Sequence, residues 1–172
     1  DHRTVLPRDV TDAALSTHAD HPEKRLIVHY MQPHFPFVTS ESLQFTGWDD
    51  TEIIDDQPRS GRPSDPWAAL ELGVATRQAV REAYADNLAY AMDHVGDLLA
   101  ALDGRTVVTS DHGNLLGERT WPLPIRLYGH PKGVRHPDLV RVPWAVVDSD
   151  ERRTITAGDG HSSAEYDTEQ LN

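Results

Sequence analysis

Two residues with the chemistry of metal ligands stand side by side where a short strand runs out. Thr106-Val107-Val108-Thr109-Ser110 is rich in β-branched residues and leads into Asp111-His112-Gly113-Asn114. In an α/β fold, ligands bind beyond the carboxyl ends of the strands. A carboxylate oxygen beside an imidazole nitrogen suits Mn²⁺, Zn²⁺ or Fe²⁺, and accepts Mg²⁺ or Ca²⁺ when further oxygens complete the shell. The alternative is a turn, with Asp111 capping a helix and His112 half exposed. His34 is held between Pro33 and Pro36, where it could bind an anion or protonate a leaving oxygen; otherwise it is a loop histidine packed on Phe35 and Phe37. Tyr128-Gly129-His130-Pro131-Lys132 offers a third candidate, either an anion-binding His130/Lys132 pair or a solvated loop lysine. His136 and His161 are expected at the surface, His29 inside a strand, and His94 on a helix away from its apolar face.

Those residues need elements to position them. Asp9 to Ala19 predicts a short helix behind Pro7, with Asp9 as cap. Arg25 to Met31 is mostly apolar and predicts an internal strand running into the His34 loop. Ser40 to Pro66 predicts a long irregular excursion. Asp65-Pro66-Trp67 then predicts a helix start, with Asp65 as cap and proline in the first position. The strongest periodicity follows: Val80, Tyr84, Leu88, Ala91, Val95, Leu98 and Leu102 make one apolar face of a long helix. Asp103-Gly104 closes it, and the strand Arg105 to Ser110 begins at once, as in an α/β unit. Leu115 to Glu118 predicts one helical turn, Trp121 to Asp138 a loop, and Leu139 to Val147 a strand whose Pro143 places it at an edge or a bulge.

Composition narrows the function classes. The 172 residues are enough for one domain with a core. With no cysteine, the chain has no disulfide, thiolate ligand or cysteine nucleophile. Acidic residues number 28 against 16 basic ones, for a formal net charge of −12. Aspartate dominates the acids and lysine occurs only at Lys24 and Lys132. That balance predicts adaptation to high salt, where a Debye length of about 3 Å at 1 M screens the self-repulsion. No basic stripe exists to neutralise phosphates, so nucleic acid is excluded as a partner. No run of about 18 apolar residues predicts a membrane span, and no signal peptide is visible in the chain.

Taken together, the motifs resemble the sulfatases of the alkaline phosphatase superfamily. Thr109-Ser110-Asp111-His112-Gly113-Asn114-Leu115-Leu116-Gly117-Glu118 resembles their C-terminal metal motif, a strand followed by Ser-Asp-His-Gly and then Leu-Gly-Glu. Pro33-His34-Phe35-Pro36-Phe37 is similar to their Pro-His-x-Pro-Phe loop, and the long helix into Thr106 resembles the helix before the metal strand. Lys132, ten residues before Val142-Pro143, resembles their sulfate-binding lysine. Asp-His-Gly-Asn alone also resembles the phosphoglycerate mutase motif, so a phosphoryl-transfer relative stays open.

The resemblance implies a partial three-layer α/β sandwich, with a mostly parallel sheet flanked by helices over residues 1–148 and a polar tail over 149–172. It implies a hydrolase of sulfate or phosphate esters, on small molecules or glycans, with Asp111 and His112 on a divalent ion. Ca²⁺ is the ion the family favours, with Mn²⁺, Mg²⁺ or Zn²⁺ as alternatives. It implies His34 and Lys132 on the ester oxygens and leaving group, and His130 as a further ligand in the manner of two-metal phosphatases. The family's Cys/Ser-x-Pro-x-Arg nucleophile motif has no counterpart. The nearest serine segment, Ser64-Asp65-Pro66-Trp67-Ala68, lacks the arginine and follows the His34 loop. The chain is therefore expected to be the C-terminal half of the fold, either part of a hydrolase or a non-catalytic binding remnant. An unpaired sheet edge would invite self-association.

Overall fold

The computed structural model describes residues 3–40, 43, 63, 65–149 and 153–158. Helix α1 (Pro7–Asp20) begins with proline in its first turn and no side-chain cap; Asp9 lies inside the first turn, so the predicted capping role is corrected. Helix α2 (Pro66–Glu71) starts as predicted: Asp65 accepts the Trp67 and Ala68 N–H groups, both at 2.8 Å, and Pro66 needs no partner for an N–H it lacks. Helix α3 (Arg77–Ala101) is capped by Thr76 and packs along α1. Its buried face is Val80, Ala83, Asn87, Ala91, Val95 and Leu98. Leu88, assigned to that face by its spacing, is exposed, because the helical stripe passes through Asn87 instead.

Four short strands follow. Gly104, at φ +82°, turns the end of α3 into β1 (Thr106–Thr109). Strands β2 (Leu115–Arg119) and β3 (Arg126–Gly129) form a bulged antiparallel hairpin. After a four-residue helix α4 (Pro137–Val140), β4 (Trp144–Val147) pairs antiparallel with β1.

The architecture mixes helices and strands, but the mostly parallel sheet is not found among the described residues. Both sheets there are two-stranded and antiparallel. A parallel neighbour for β1 would require a crossover returning the chain to the strand's starting end. Between Thr109 and Trp144 the chain makes a hairpin and one short helix, and re-enters beside the end it left. Leu115–Glu118 is strand rather than helical turn: its partner is β3, and Gly117 at φ +97° lies in the left-handed region that a helix cannot use. Leu139–Val147 divides into the end of α4 and β4, with Pro143 between them. Arg25–Met31 is not an internal strand. Its residues alternate between half-buried and exposed, but it joins no ladder among the described residues, and Ile27 is 94% exposed. His29 is correspondingly exposed rather than packed.

The core sits under the other end of the molecule. Phe37, Leu70, Val80 and Ala83 are buried together, with Phe35, Trp67, Tyr84, Leu116 and Tyr128 packed around them. This cluster joins the loop after His34, α2, the first half of α3 and the hairpin. Within the polar 149–172 stretch, Arg153 donates to the Pro22 carbonyl, and the Thr156 N–H reaches the Glu23 carbonyl at 3.1 Å. Most of the 40–66 excursion, Ser64 and His161 lie outside the described residues. Among the described residues no helix is long and apolar enough to cross a membrane.

Candidate active site

Three imidazoles from three separate segments meet above this core. The His112 and His130 ring centroids are 4.5 Å apart, and His34 stands edge-on to His130 at 6.4 Å. Each is delivered by a different device.

His112 follows β1 in a turn that only glycine permits. Gly113 donates to the Leu139 carbonyl at 2.9 Å, and a Cβ placed on it would lie 2.0 Å from the Asp138 carbonyl oxygen. The turn is thereby pressed backbone-to-backbone against α4. Asp111 accepts the His112 N–H at 2.9 Å, and its other carboxylate oxygen is 3.8 Å from His112 Nε2. His112 Nδ1 donates to the Gly113 carbonyl at 2.9 Å. A carbonyl can only accept, so Nε2 carries the ring's lone pair.

His34 is held by a buried amide absent from the sequence-based candidates. Asn87, 0% exposed on α3, donates from Nδ2 to the His34 carbonyl at 3.0 Å and accepts the Val38 N–H at 3.2 Å. One side chain thus clamps both ends of the Pro33–Phe37 loop. The His34 ring stacks on Phe35 at 4.4 Å and its Nδ1 contacts the Phe35 carbonyl. Packing on Phe35, the alternative for this histidine, therefore coexists with its place beside His130.

His130 arrives by strand register. Leu115 pairs with Gly129 in the hairpin, so the next residues outward are Asn114 and His130. Their side chains meet, with His130 Nδ1 2.9 Å from Asn114 Oδ1, and Asn114 Nδ2 donates to the Tyr84 hydroxyl at 3.1 Å. Lys132 is exposed two residues on, in a turn closed by the Val134 N–H on the Pro131 carbonyl at 3.2 Å. Chain connectivity keeps its Cα within about 7 Å of that of His130.

These side chains also act on one another electrostatically. His130 is held below the ordinary histidine value, first by burial and then by His112 and His34, against an opposing pull from Asp111. Tyr84 is raised, first by burial; the Asn114 hydrogen bond works the other way and Asp111 adds to the rise. A neutral imidazole is the form that ligates a metal or accepts a proton. The 3.8 Å between Asp111 Oδ2 and His112 Nε2 spans two donors to one ion at distances of about 2.0–2.2 Å each. The Nδ1–H to carbonyl bond on His112 is the outer-shell support that metal-bound histidines use. Among the described residues, no group of three or more His, Cys, Asp or Glu is arranged to hold a metal.

Sequence reasoning named Asp111, His112, His34, His130 and Lys132. It missed Asn87, Asn114 and Tyr84. Asn87 carried a signal, a polar residue within an apolar helical stripe. Asn114 carried none, because its partner is set by hairpin register. His136, expected as a plain surface residue, caps α4 by accepting the Asp138 N–H at 3.2 Å. His94, expected away from the apolar face, is half-buried on the side of α3 that meets α1, and its carbonyl accepts from Thr11 at 3.3 Å.

No curated protein and no solved structure matches the chain. The family model described as Sulfatase matches residues 3–171, nearly its whole length. The chain therefore belongs to the sulfatase family.

Proposed function

We propose that this chain supplies the metal- and ester-binding residues of a site that hydrolyses sulfate esters. The observation that carries the reading is the convergence of His34, His112 and His130 beside Asp111 from three distant segments. Asp111 and His112 would hold a divalent ion, with His130 as the adjoining nitrogen ligand. When bound, such an ion would act as a Lewis acid, withdrawing charge from an ester oxygen. His34 and Lys132 would meet the remaining ester oxygens: with Nδ1 on the Phe35 carbonyl, His34 would donate from Nε2 in its protonated form, and Lys132 would supply a fixed positive charge. In a chain with two lysines and a net charge of −12, a cation two residues beyond His130 is well placed to offset repulsion of an anionic substrate. Manganese and calcium are the ions to test, since the donor set mixes nitrogen with oxygen.

Calorimetry with Mn²⁺, Ca²⁺ and sulfate tests the reading. Saturable metal binding by the wild type, lost in Asp111→Ala, is expected, together with sulfate binding that requires the metal and weakens in Lys132→Ala. Identical heats for wild type and Asp111→Ala would remove the metal site. Comparing aryl sulfate with aryl phosphate as competing ligands separates the sulfate assignment from the phosphoryl-transfer alternative. Self-association belongs to the same proposal, because β1 and β4 each have one edge without a strand neighbour among the described residues. Light scattering at high salt is expected to report a dimer or larger species, and a clean monomer would contradict it.

A further inference from the structure

We infer that the tip of the β2–β3 hairpin docks on the surface of an anionic lipid bilayer. Between Thr120 and Arg126 the chain presents three apolar side chains to solvent: Trp121 at 92% exposure, Leu123 at 63% and Ile125 at 55%. Exposure rises along β3, from buried Gly129 through half-buried Tyr128 and Leu127 to exposed Arg126. The tip therefore stands clear of the core against which Tyr128 packs. It is also stiffened from within. The Thr120 N–H donates to the Ile125 carbonyl at 3.0 Å, the Ile125 N–H to the Leu123 carbonyl at 2.7 Å, and the Thr120 hydroxyl to the Leu123 carbonyl at 2.6 Å. Pro122 and Pro124 have no N–H to leave unpaired. Few main-chain donors thus remain to be desolvated when the loop leaves bulk water.

Charge identifies the partner. Arg119 and Arg126 are register partners at the base of the tip, so both side chains belong to one face of the hairpin. Like charges set directly opposite one another disfavour strand pairing. Arg126 donates to the Gly117 carbonyl at 2.9 Å, and neither arginine has an ion-pair partner among the described residues. No Asp or Glu occurs from Arg119 to Pro137, in a chain whose net charge is −12. An apolar cap over a cationic collar matches the bilayer interface, where tryptophan and aliphatic side chains enter the headgroup boundary and arginine meets lipid phosphate. A saccharide would use Trp121 and leave Leu123 and Ile125 without a partner; the bilayer takes all three. Three residues, about 10 Å of strand, separate Arg126 from Gly129, where the hairpin meets Trp67. A Debye length of about 8 Å at physiological ionic strength therefore screens the body's carboxylates more than the arginines that touch the surface. The inference does not depend on the chemistry proposed for the histidines.

Vesicle flotation of the full chain tests this, with liposomes of phosphatidylglycerol and phosphatidylcholine in equal parts set against phosphatidylcholine alone. At about 0.15 M KCl the wild type is expected to bind the anionic vesicles about tenfold or more above the neutral ones. Arg119→Gln lowers binding to the anionic vesicles about fivefold. Trp121→Ser combined with Leu123→Ser lowers it by about tenfold or more. The substituted side chains lie in solvent, so these variants keep the wild-type denaturation midpoint. Quenching of tryptophan emission by brominated lipid gives a second reading with the tip intact. Trp121→Phe keeps binding within about twofold but loses most of the quenching, whereas Trp144→Ser keeps both. No wild-type flotation with anionic vesicles, undiminished binding in the double variant, or quenching that survives Trp121→Phe each overturns the inference. So does a double variant that turns monomeric in light scattering without lipid, since the tip would then belong to a contact between copies.

Discussion

The two ends of this molecule treat similar sequence in opposite ways. Around the histidines the backbone is clamped: the Asn87 side chain bridges the His34 carbonyl and the Val38 N–H, and the Gly113 N–H donates to the Leu139 carbonyl. In the β1–β4 sheet, Val107, Trp144, Val146 and Val147 are all exposed, and elsewhere Arg25–Met31 joins no ladder among the described residues. Both ends contain apolar β-formers. The difference lies in what they pack against, a contiguous cluster at one end and solvent at the other. The loop after His34 and the hairpin that carries His130 rest on the Phe37–Leu70–Val80–Ala83 core, whereas Asp111 and His112 hang from the end of β1 and are held by Gly113 on α4.

Substitutions should separate the ends, and the largest effect is expected at Gly113. Gly113→Ala drives a methyl group into the Asp138 carbonyl, an overpacked contact with neither backbone free to yield, and is expected to destabilise the fold by about 3 kcal/mol or more. Chemical denaturation reads this directly, and an unchanged midpoint would show that the turn is not pressed onto α4. Asn87→Ala comes next. It strands the Val38 N–H and the His34 carbonyl, both part-buried, at a cost of about 1–3 kcal/mol, and should also disturb the His34 and His130 imidazole signals. Loss of stability without any change at His34 would place Asn87 outside the site's support. Trp144→Ser, at a position 69% exposed, is expected to stay within about 0.5 kcal/mol of wild type and to leave all three site histidines unmoved. A larger effect would mean that the β1–β4 sheet is packed against something.

Salt gives the smallest and most distributed effect. With a net charge of −12 spread along the chain, molar KCl should raise the Tm by screening repulsion between carboxylates. A Tm that is flat or falls between 0.1 and about 2 M would contradict the reading of the aspartate-rich composition as salt adaptation.

Legibility in the sequence followed the same division. The α2 start was readable because Asp65 and Pro66 satisfy local rules of helix initiation. Helix α3, 25 residues long, was readable because an apolar repeat recurs from Val80 to Leu98. Asp111, His112 and His34 could be named as candidates because side-chain chemistry and flanking prolines or strand residues are local facts. Strand pairing is not local. Leu115–Glu118 has the composition of a helical turn, and becomes β2 only because Arg126–Gly129 lies beside it and Gly117 takes a positive φ. The same register brings Asn114 to His130, which no inspection of either segment alone could show. Arg25–Met31 has the pattern of a strand but no neighbour among the described residues to make it one.

The central claim is that His34, His112 and His130 share one divalent-ion and oxyanion site with Asp111. Titration of the ¹⁵N-labelled chain with substoichiometric Mn²⁺ tests it most directly, because the paramagnetic ion broadens only nearby nuclei. The account predicts that the imidazole signals of His112 and His130 vanish first, followed by His34. Exposed His29 and α3's His94 should remain sharp, and the whole effect should be abolished in Asp111→Ala. Uniform broadening of all histidines, or broadening that persists unchanged in Asp111→Ala, would contradict it.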